Sequence, residues 1–151
     1  MRKLVLLVFL AACGPSNAPQ NASTAPSATA APAKPWDELS HGERLEVMKK
    51  VVAPKLGADF KAFDPKRYES FSCVTCHGER IKNGDAKMPN PDLPHLSYTD
   101  NFKKHMTEKP AVTKFMQEKV VPDMLEALHE KPYDPQTKEG FGCGDCHVVG
   151  P

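Results

Sequence analysis

The chain has 151 residues, with 20 Lys and Arg against 19 Asp and Glu and a formal net charge of +1 at pH 7. A charge balance this even argues against a nucleic-acid-binding protein, which would need a clustered basic surface. The chain is long enough for one small domain, but only 40% of its residues are apolar and 15 are proline, so we expect a loop-rich domain with a thin hydrophobic core of its own.

The N-terminus carries the features of an export signal. A basic start precedes a short apolar run at 4–12, which is too short to remain as a membrane-spanning helix. The run ends in Leu-Ala-Ala-Cys at 10–13, which resembles the lipobox of bacterial lipoproteins, where cleavage falls before the Cys and the Cys carries the lipid. We therefore predict a signal peptide at 1–12 and lipidation of Cys13. The alternative is an ordinary secretory signal that is cut after Ala12.

A low-complexity segment separates this signal from the rest of the chain. Residues 14–35 are mostly Ala, Pro, Ser, Thr and Asn, and this composition cannot form a packed core. We interpret 13–35 as a lipidated Cys followed by a tether, with a reach of about 25 Å as a flexible coil. The protein should then be exported and held on a bacterial membrane facing the periplasm. Gly14 resembles a signal for sorting to the outer membrane.

The folded part should begin near Trp36 and its first helix near Ser40. Ser40 and Glu43 form a Ser-x-x-Glu capping box, which favours a helix start at this point. Pro54 should kink or end this helix. Apolar residues recur at helical spacing and mark one face of the helix, namely Leu45, Met48, Val52 and Leu56.

The motif Cys-x-x-Cys-His follows at 73–77. Two cysteines three residues apart can form thioethers with the two vinyl groups of one haem, and the His that follows can supply an axial nitrogen to the iron; this is the attachment signature of haem c. Cys73 and Cys76 would therefore attach a haem, and His77 would be its proximal ligand. The stretch 83–94, rich in Gly, Asn and Pro, is predicted to be a loop.

A second helix should run from about Pro110 to His129, because Pro suits the first turn of a helix. Pro122 should interrupt this helix as Pro54 interrupts the first. Apolar residues recur at every fourth position and mark a single face, namely Val112, Met116, Val120, Met124 and Leu128.

The haem-attachment motif then recurs at 143–147. Cys143 and Cys146 would form the thioethers of a second haem c, and His147 would be its proximal ligand. The approach to the motif recurs as well. In both copies an aromatic residue and Asp-Pro come first, and a Phe stands two places before the first Cys.

The duplication defines the predicted architecture. Counted from the helices, the two repeats cover about 40–77 and 108–147. We predict an all-α, small and loop-rich domain at 36–151, in which a duplicated helix–loop–Cys-x-x-Cys-His unit packs around two covalent haems.

Other uses of the cysteines are possible on chemical grounds. Two Cys-x-x-Cys pairs can form a four-thiolate zinc site, and four cysteines in an exported chain can form two disulfides. A thioredoxin-like redox pair would require a βαβ pattern that is missing from the sequence. None of these alternatives explains why His follows both pairs. The haem interpretation also accounts for the odd count of five cysteines, because four bind haem and Cys13 binds lipid.

The helices before the motifs offer the sixth iron ligands. Met48 and Met116 hold equivalent places in the two repeats, each four residues before a Val-x-Pro sequence. A Met thioether opposite His is a common haem ligand pair and raises the reduction potential. Met88, in a Met-Pro loop, Met124 and His129 are alternatives, and methionines on a helix face are often simply core residues.

This order of Met-bearing helix, turn and Cys-x-x-Cys-His resembles the repeats of the cytochrome subunit of photosynthetic reaction centres, which is often a four-haem lipoprotein. The resemblance covers 45–77 and 112–147. This chain has two units instead of four, and its stretch from Met to Cys is longer. The resemblance implies that Met48 and Met116 are distal ligands, and more broadly the chain is similar to small dihaem c-type cytochrome lipoproteins.

These features together predict an electron carrier that is not an enzyme. With His and Met on both irons, no coordination site remains for a substrate, and the protein serves to position the haems and tune their potentials. The expected partners are redox proteins of a respiratory or photosynthetic chain on the outer side of the cytoplasmic membrane. The alternative is a small haem peroxidase, or a redox or gas sensor, with one open coordination site and polar groups placed for acid–base chemistry.

Overall fold

The computed structural model of the chain describes residues 34–150. The predicted signal peptide, the lipidation site Cys13 and the tether up to residue 33 lie outside the described residues. Within 34–150 the protein is mostly helical, and its only strands are Leu96–Ser97 (β1) and Val149–Gly150 (β2), which pair in parallel. The expectation of a small, mostly helical domain is therefore confirmed. None of the helices in this range is both long enough and apolar enough to cross a membrane.

The first long helix covers 41–63. Its α-helical parts, His41–Val47 and Ala53–Phe63, flank a π-helical segment, Met48–Val52. The predicted capping box is confirmed, because the Ser40 N–H donates to Glu43 Oε2 at 2.8 Å and the Glu43 N–H donates to Ser40 Oγ at 3.4 Å. These bonds satisfy two of the N–H groups that have no partner inside the helix.

The second long helix covers 110–128 and repeats this construction. Its α-helical parts, Pro110–Phe115 and Val121–Leu128, flank a second π-helical segment, Met116–Val120. Pro110 lies in the first turn, as predicted. The helix ends at His129, whose φ of 56° lies in the left-handed region that closes many helices.

The two prolines do not end their helices, so that part of the prediction is wrong. Pro lacks an N–H group, and its ring crowds the carbonyl four residues before it. Each helix accommodates the proline by widening just before it, so that the Ala53 N–H donates to Met48 O and the Val121 N–H donates to Met116 O, five residues back. Both helices then continue beyond their prolines. The same proline therefore produces the same π-helical segment in each repeat.

The hydrophobic core lies between the two long helices. The C-terminal half of each helix packs against the π-helical segment of the other. Phe60 is central, with its ring centroid 4.8 Å from Tyr68, 5.2 Å from Phe71 and 5.0 Å from Phe115. Leu45, predicted on the inner face, is instead 44% exposed. Within 34–150 the buried apolar residues are few, as expected: Leu39, Val47, Val52, Leu56, Phe60, Ala127 and Leu128.

A group of charged residues also joins the two helices. Lys119 Nζ lies 3.4 Å from Asp59 Oδ1 and 2.7 Å from Asp123 Oδ2, and Lys55 Nζ lies 3.4 Å from Asp123 Oδ1. Burial and the neighbouring Asp123 raise the pKa of Asp59. Burial also tends to raise the pKa of Asp123. The interactions with Lys119, Asp59 and Lys55 outweigh burial, so the pKa of Asp123 is lowered. The pKa values of the two acids are therefore shifted in opposite directions.

Candidate metal centre

Each Cys-x-x-Cys-His motif forms a short helical turn. The first turn is Cys73–His77 and the second is Cys143–Cys146. Side-chain oxygens close both turns in the same way, because the Ser72 N–H donates to Thr75 Oγ1 at 3.1 Å and the Gly142 N–H donates to Asp145 Oδ2 at 2.7 Å. Residues three and four positions apart are neighbours on a helix. The two thiols of each motif therefore start from the same side of its turn.

The repeated Phe before each motif anchors the turn to the core. Phe71 and Phe141 are both half-buried and pack against the core between the long helices. In the first repeat Tyr68 reinforces this contact, since its ring meets Phe60 edge-on. In the second repeat the approach forms a narrow loop, in which the Tyr133 N–H donates to Phe141 O at 2.9 Å. The aromatic approach therefore explains why each motif has a fixed place on the helices.

The four motif cysteines are free thiols. Cys73 is exposed, and the other three cysteines of the two motifs are half-buried. Burial raises the pKa of Cys76 to about 11 and that of Cys146 to about 12. Cys76 contributes to the raised pKa of Cys146, because the two motifs lie side by side.

The alternative uses of the cysteines can be compared with this arrangement. Within 34–150, no three His, Cys, Asp or Glu side chains come together as a group that could hold a metal ion. The four motif cysteines also form no disulfide among themselves. The described residues thus assemble neither the four-thiolate zinc site nor the disulfide pairs that the cysteine count allows.

The two histidines are held differently. His147 Nδ1 lies 2.9 Å from the Pro94 carbonyl oxygen, to which it donates as the Nδ1–H tautomer, and this leaves Nε2 with a lone pair for a metal. His77 Nδ1 is buried and has no hydrogen-bond partner. Burial lowers the pKa of both imidazoles. At His77 the backbone of Ala86 has a smaller, opposite effect and raises the pKa. Both rings are therefore held in the neutral form that binds iron.

The loop between the repeats, residues 84–98, contacts both motifs; we call it the linker loop. Beside the second motif, the Leu96 N–H donates to Val148 O at 2.9 Å and the Tyr98 N–H donates to Gly150 O at 3.3 Å. Beside the first motif, Arg80 Nε donates to His77 O at 3.3 Å, and the same guanidinium bonds the Lys87 carbonyl of the loop. The linker loop is thus a shared support for the two turns.

Sequence reasoning missed the central residue of this loop. Asn90 is 1% exposed and contacts the second Cys of each motif. Its side-chain Nδ2 donates to Cys76 O at 2.8 Å, and its backbone N–H donates to Cys146 O at 3.0 Å. The sequence Asn-Pro indicates only a turn. Nothing in that local pattern distinguishes a buried Asn from the exposed Asn83 nearby.

The residue after the first His is restricted by this contact. Gly78 has a φ of 72°, and a Cβ at this position would lie 2.8 Å from Asp92 Oδ2 and 3.3 Å from Asn90 Nδ2. Glycine is therefore needed here for both its backbone conformation and its small size. The linker loop can approach the first motif closely only because no side chain stands between them.

The candidate distal ligands lie in three parts of the structure: the π-helical segments, the rest of the second long helix and the linker loop. Met48 and Met116 begin the two π-helical segments and are half-buried against the core. Met124 is half-buried farther along the second long helix. Met88 is half-buried in the linker loop, and His129 is exposed at the end of the second long helix. The ligand choice between these residues remains a prediction.

The three remaining histidines lie outside both motifs. His41 and His95 are exposed. His105 is half-buried in a short helix, Lys103–Glu108.

Comparisons of the chain with protein-family models, with curated proteins and with solved structures give no significant match. The chemistry must therefore be inferred from the residues themselves. The described residues present two adjacent Cys-x-x-Cys-His turns, each with two thiols and one imidazole. Such a set can form two thioethers and one nitrogen–iron bond with a single haem.

Proposed function

We propose that the protein is a dihaem c-type cytochrome that carries electrons. The observation that supports this most strongly is the recurrence of the whole Cys-x-x-Cys-His motif on two matching helical turns. Each turn offers two thiols and a neutral imidazole that lies partly out of water. Structural disulfides or a four-thiolate zinc site would require the cysteines alone, whereas haem attachment uses the His of each motif as well.

The residues present fit two haem c groups. Each haem would be held by two thioethers and one proximal imidazole, from Cys73, Cys76 and His77 in the first repeat and from Cys143, Cys146 and His147 in the second. The hydrogen bond from His147 Nδ1–H to the Pro94 carbonyl leaves Nε2 of that ring as the natural iron ligand. Haem iron, when bound, supplies reversible one-electron redox chemistry.

We further propose Met48 and Met116 as distal ligands. Both start a π-helical segment, and π-bulges in helices are frequent at functional sites. Because both methionines begin such a segment, they are presented by equivalent local structures. Met124 lies in a regular α-helical part and lacks this equivalence. Met88 and His129 have no counterpart at the same offset in the other repeat.

Filled coordination on both irons favours a carrier over a peroxidase or sensor. The chain's own residues then act by holding the haems, excluding water and setting the potentials. The lipid on Cys13 and the tether would keep the domain near a membrane, within reach of redox partners of a respiratory or photosynthetic chain on the outer side of the cytoplasmic membrane. Nucleic acid is not an expected partner.

An optical spectrum of the oxidised, purified holoprotein, extended into the near infrared, tests this function. Haem is counted per chain in the same sample. Two low-spin haems with the methionine–iron charge-transfer band are the expected result. A high-spin signal would contradict the carrier and favour an enzyme or sensor with an open coordination site. Zinc in place of haem would contradict the whole proposal.

A further inference from the structure

Asn90 is a buried polar residue of the linker loop, with only 1% of its surface exposed. A buried amide is costly unless its polar atoms are paired. The amide of Asn90 is paired on both sides: Nδ2 donates to Cys76 O at 2.8 Å, and Oδ1 accepts from the Asp92 N–H at 3.0 Å. The second bond fixes the orientation of the amide, so that its NH₂ group faces the first motif.

The backbone of the same residue is bound to the other motif. The Asn90 N–H donates to Cys146 O at 3.0 Å, and the residue forms a parallel bridge with His147. Asn90 therefore joins the second Cys of one motif to the second Cys of the other, through its side chain on one side and its backbone on the other. Arg80 also contacts the linker loop, but its bonds reach only the first motif and the loop itself.

We propose that Asn90 is a positioning residue that ties the two haem-attachment turns together and thereby fixes the separation of the two haems. This inference rests on the proposed function. The second turn is already joined to the linker loop by β1, β2 and the bond from His147 to Pro94. The side chain of Asn90 extends that support to the first turn. A fixed separation keeps electron exchange between the haems efficient, since the exchange rate falls steeply with distance.

The side-chain link can be cut without touching the backbone link. Asn90→Asp has the same shape and keeps the acceptor for the Asp92 N–H, but it replaces the Nδ2 donor with a carboxylate oxygen that faces the Cys76 carbonyl. Asn90→Ala removes the side-chain link altogether. Asn83→Ala is the matched control, because Asn83 is exposed at the end of the short helical segment Glu79–Asn83.

The readout is circular dichroism of the holoproteins in the Soret region. Two haems at a short, fixed separation couple and give a bisignate band, whereas independent haems do not. We expect the wild type and Asn83→Ala to give equal bisignate bands. Asn90→Asp and Asn90→Ala should keep two haems per chain. Their bisignate amplitude should fall by about two-fold or more, because positioned groups lose their geometry when supporting bonds are removed.

Thermal unfolding of the same samples separates positioning from simple stabilisation. If the Asn90 variants melt earlier but keep the full bisignate amplitude, the residue is merely structural and the inference is wrong. A wild type that holds two haems and gives no bisignate band would also overturn it. If Asn90→Ala fails to fold, the isosteric Asn90→Asp decides the question. A wild type without haem would instead overturn the proposed function, so the two failures are distinguishable.

Discussion

The two Cys-x-x-Cys-His turns share a sequence pattern but differ in what surrounds them. His147 donates from Nδ1 to the Pro94 carbonyl, while the Nδ1 of His77 is buried without a partner. The residues after the second turn form β2 and pair with β1 of the linker loop. The first turn is instead followed by Gly78 and a short helical segment.

This difference teaches that a duplicated sequence need not produce a duplicated environment. The helices, the π-helical segments and the aromatic approaches repeat because their causes are local to each repeat. The linker loop occurs once, between the repeats, and contacts the first turn through the Asn90 side chain and the second turn through backbone groups. Two haems with the same ligands would therefore experience different hydrogen bonding, which is one of the levers that set a reduction potential.

The largest expected effect is the loss of one haem when one pair of cysteines is removed. The double variants Cys73→Ala/Cys76→Ala and Cys143→Ala/Cys146→Ala should each hold one haem per chain, because each turn attaches its own haem through thioethers. Haem content relative to protein, measured on the denatured protein, checks this. A variant that keeps both haems would show that the turns do not bind independently.

The next effect concerns the equivalent methionines. Met48→Ala and Met116→Ala should each remove about half of the near-infrared charge-transfer band and lower the potential of one haem, because a thioether ligand raises the potential. Met124→Ala is the control, since Met124 is also half-buried on the second long helix. An intact band in either variant, or a loss in the control, would show that the distal ligand has been assigned wrongly.

The different hydrogen bonding of His77 and His147 predicts which of the two haems has the lower reduction potential. A hydrogen bond from Nδ1–H to a carbonyl makes the imidazole a more basic ligand, and a more basic ligand favours the ferric state. The haem on His147 should therefore have the lower reduction potential. Redox titration of the two single-haem cysteine variants measures each potential separately. Equal potentials, or the reverse order, would mean that the Pro94 hydrogen bond does not set the difference.

The smallest effect is expected at the facing acids of the two long helices. Asp123→Asn should lower the free energy of unfolding at pH 7 by about 1–3 kcal/mol, because it removes the charge that pairs two lysines in a buried position. Asp59→Asn should be neutral or slightly stabilising. Its carboxyl has a raised pKa, so its ionised form opposes folding at neutral pH.

The pH dependence gives these two variants opposite signatures. The contribution of Asp123 is present above the ordinary Asp pKa of 3.8 and is lost as the pH falls through its lowered value. The cost of ionised Asp59 is present above its raised pKa and disappears as the pH falls toward 3.8. Urea unfolding at several pH values checks both. The same slope for both variants would contradict the opposite pKa shifts of the two acids.

Much of the fold could be predicted because its signals are local. The capping box at Ser40, the start of the second helix at Pro110 and the scarcity of strands all follow from short patterns. The π-helical segments were not predicted, since Pro inside a helical pattern usually indicates a break. Both helices nevertheless continue through their prolines.

The candidate site could be predicted in part. Its thiols and imidazoles are contained in the motif itself, and the repeat suggested the methionines. The supports of the site were not predicted, because they join residues that are distant in the chain. His147 and Pro94 are 53 positions apart, and Asn90 and Cys76 are 14 apart. A loop of polar residues and prolines gives no sign that one of its side chains is buried.

The most direct test of the central claim is the intact mass of the wild-type chain after production in cells that mature c-type cytochromes. The chain is denatured before measurement, so that only covalently attached groups contribute. The account predicts a mass increase of two haems, and of one haem in each double cysteine variant. An unmodified mass, with all four motif thiols open to alkylation, would contradict it.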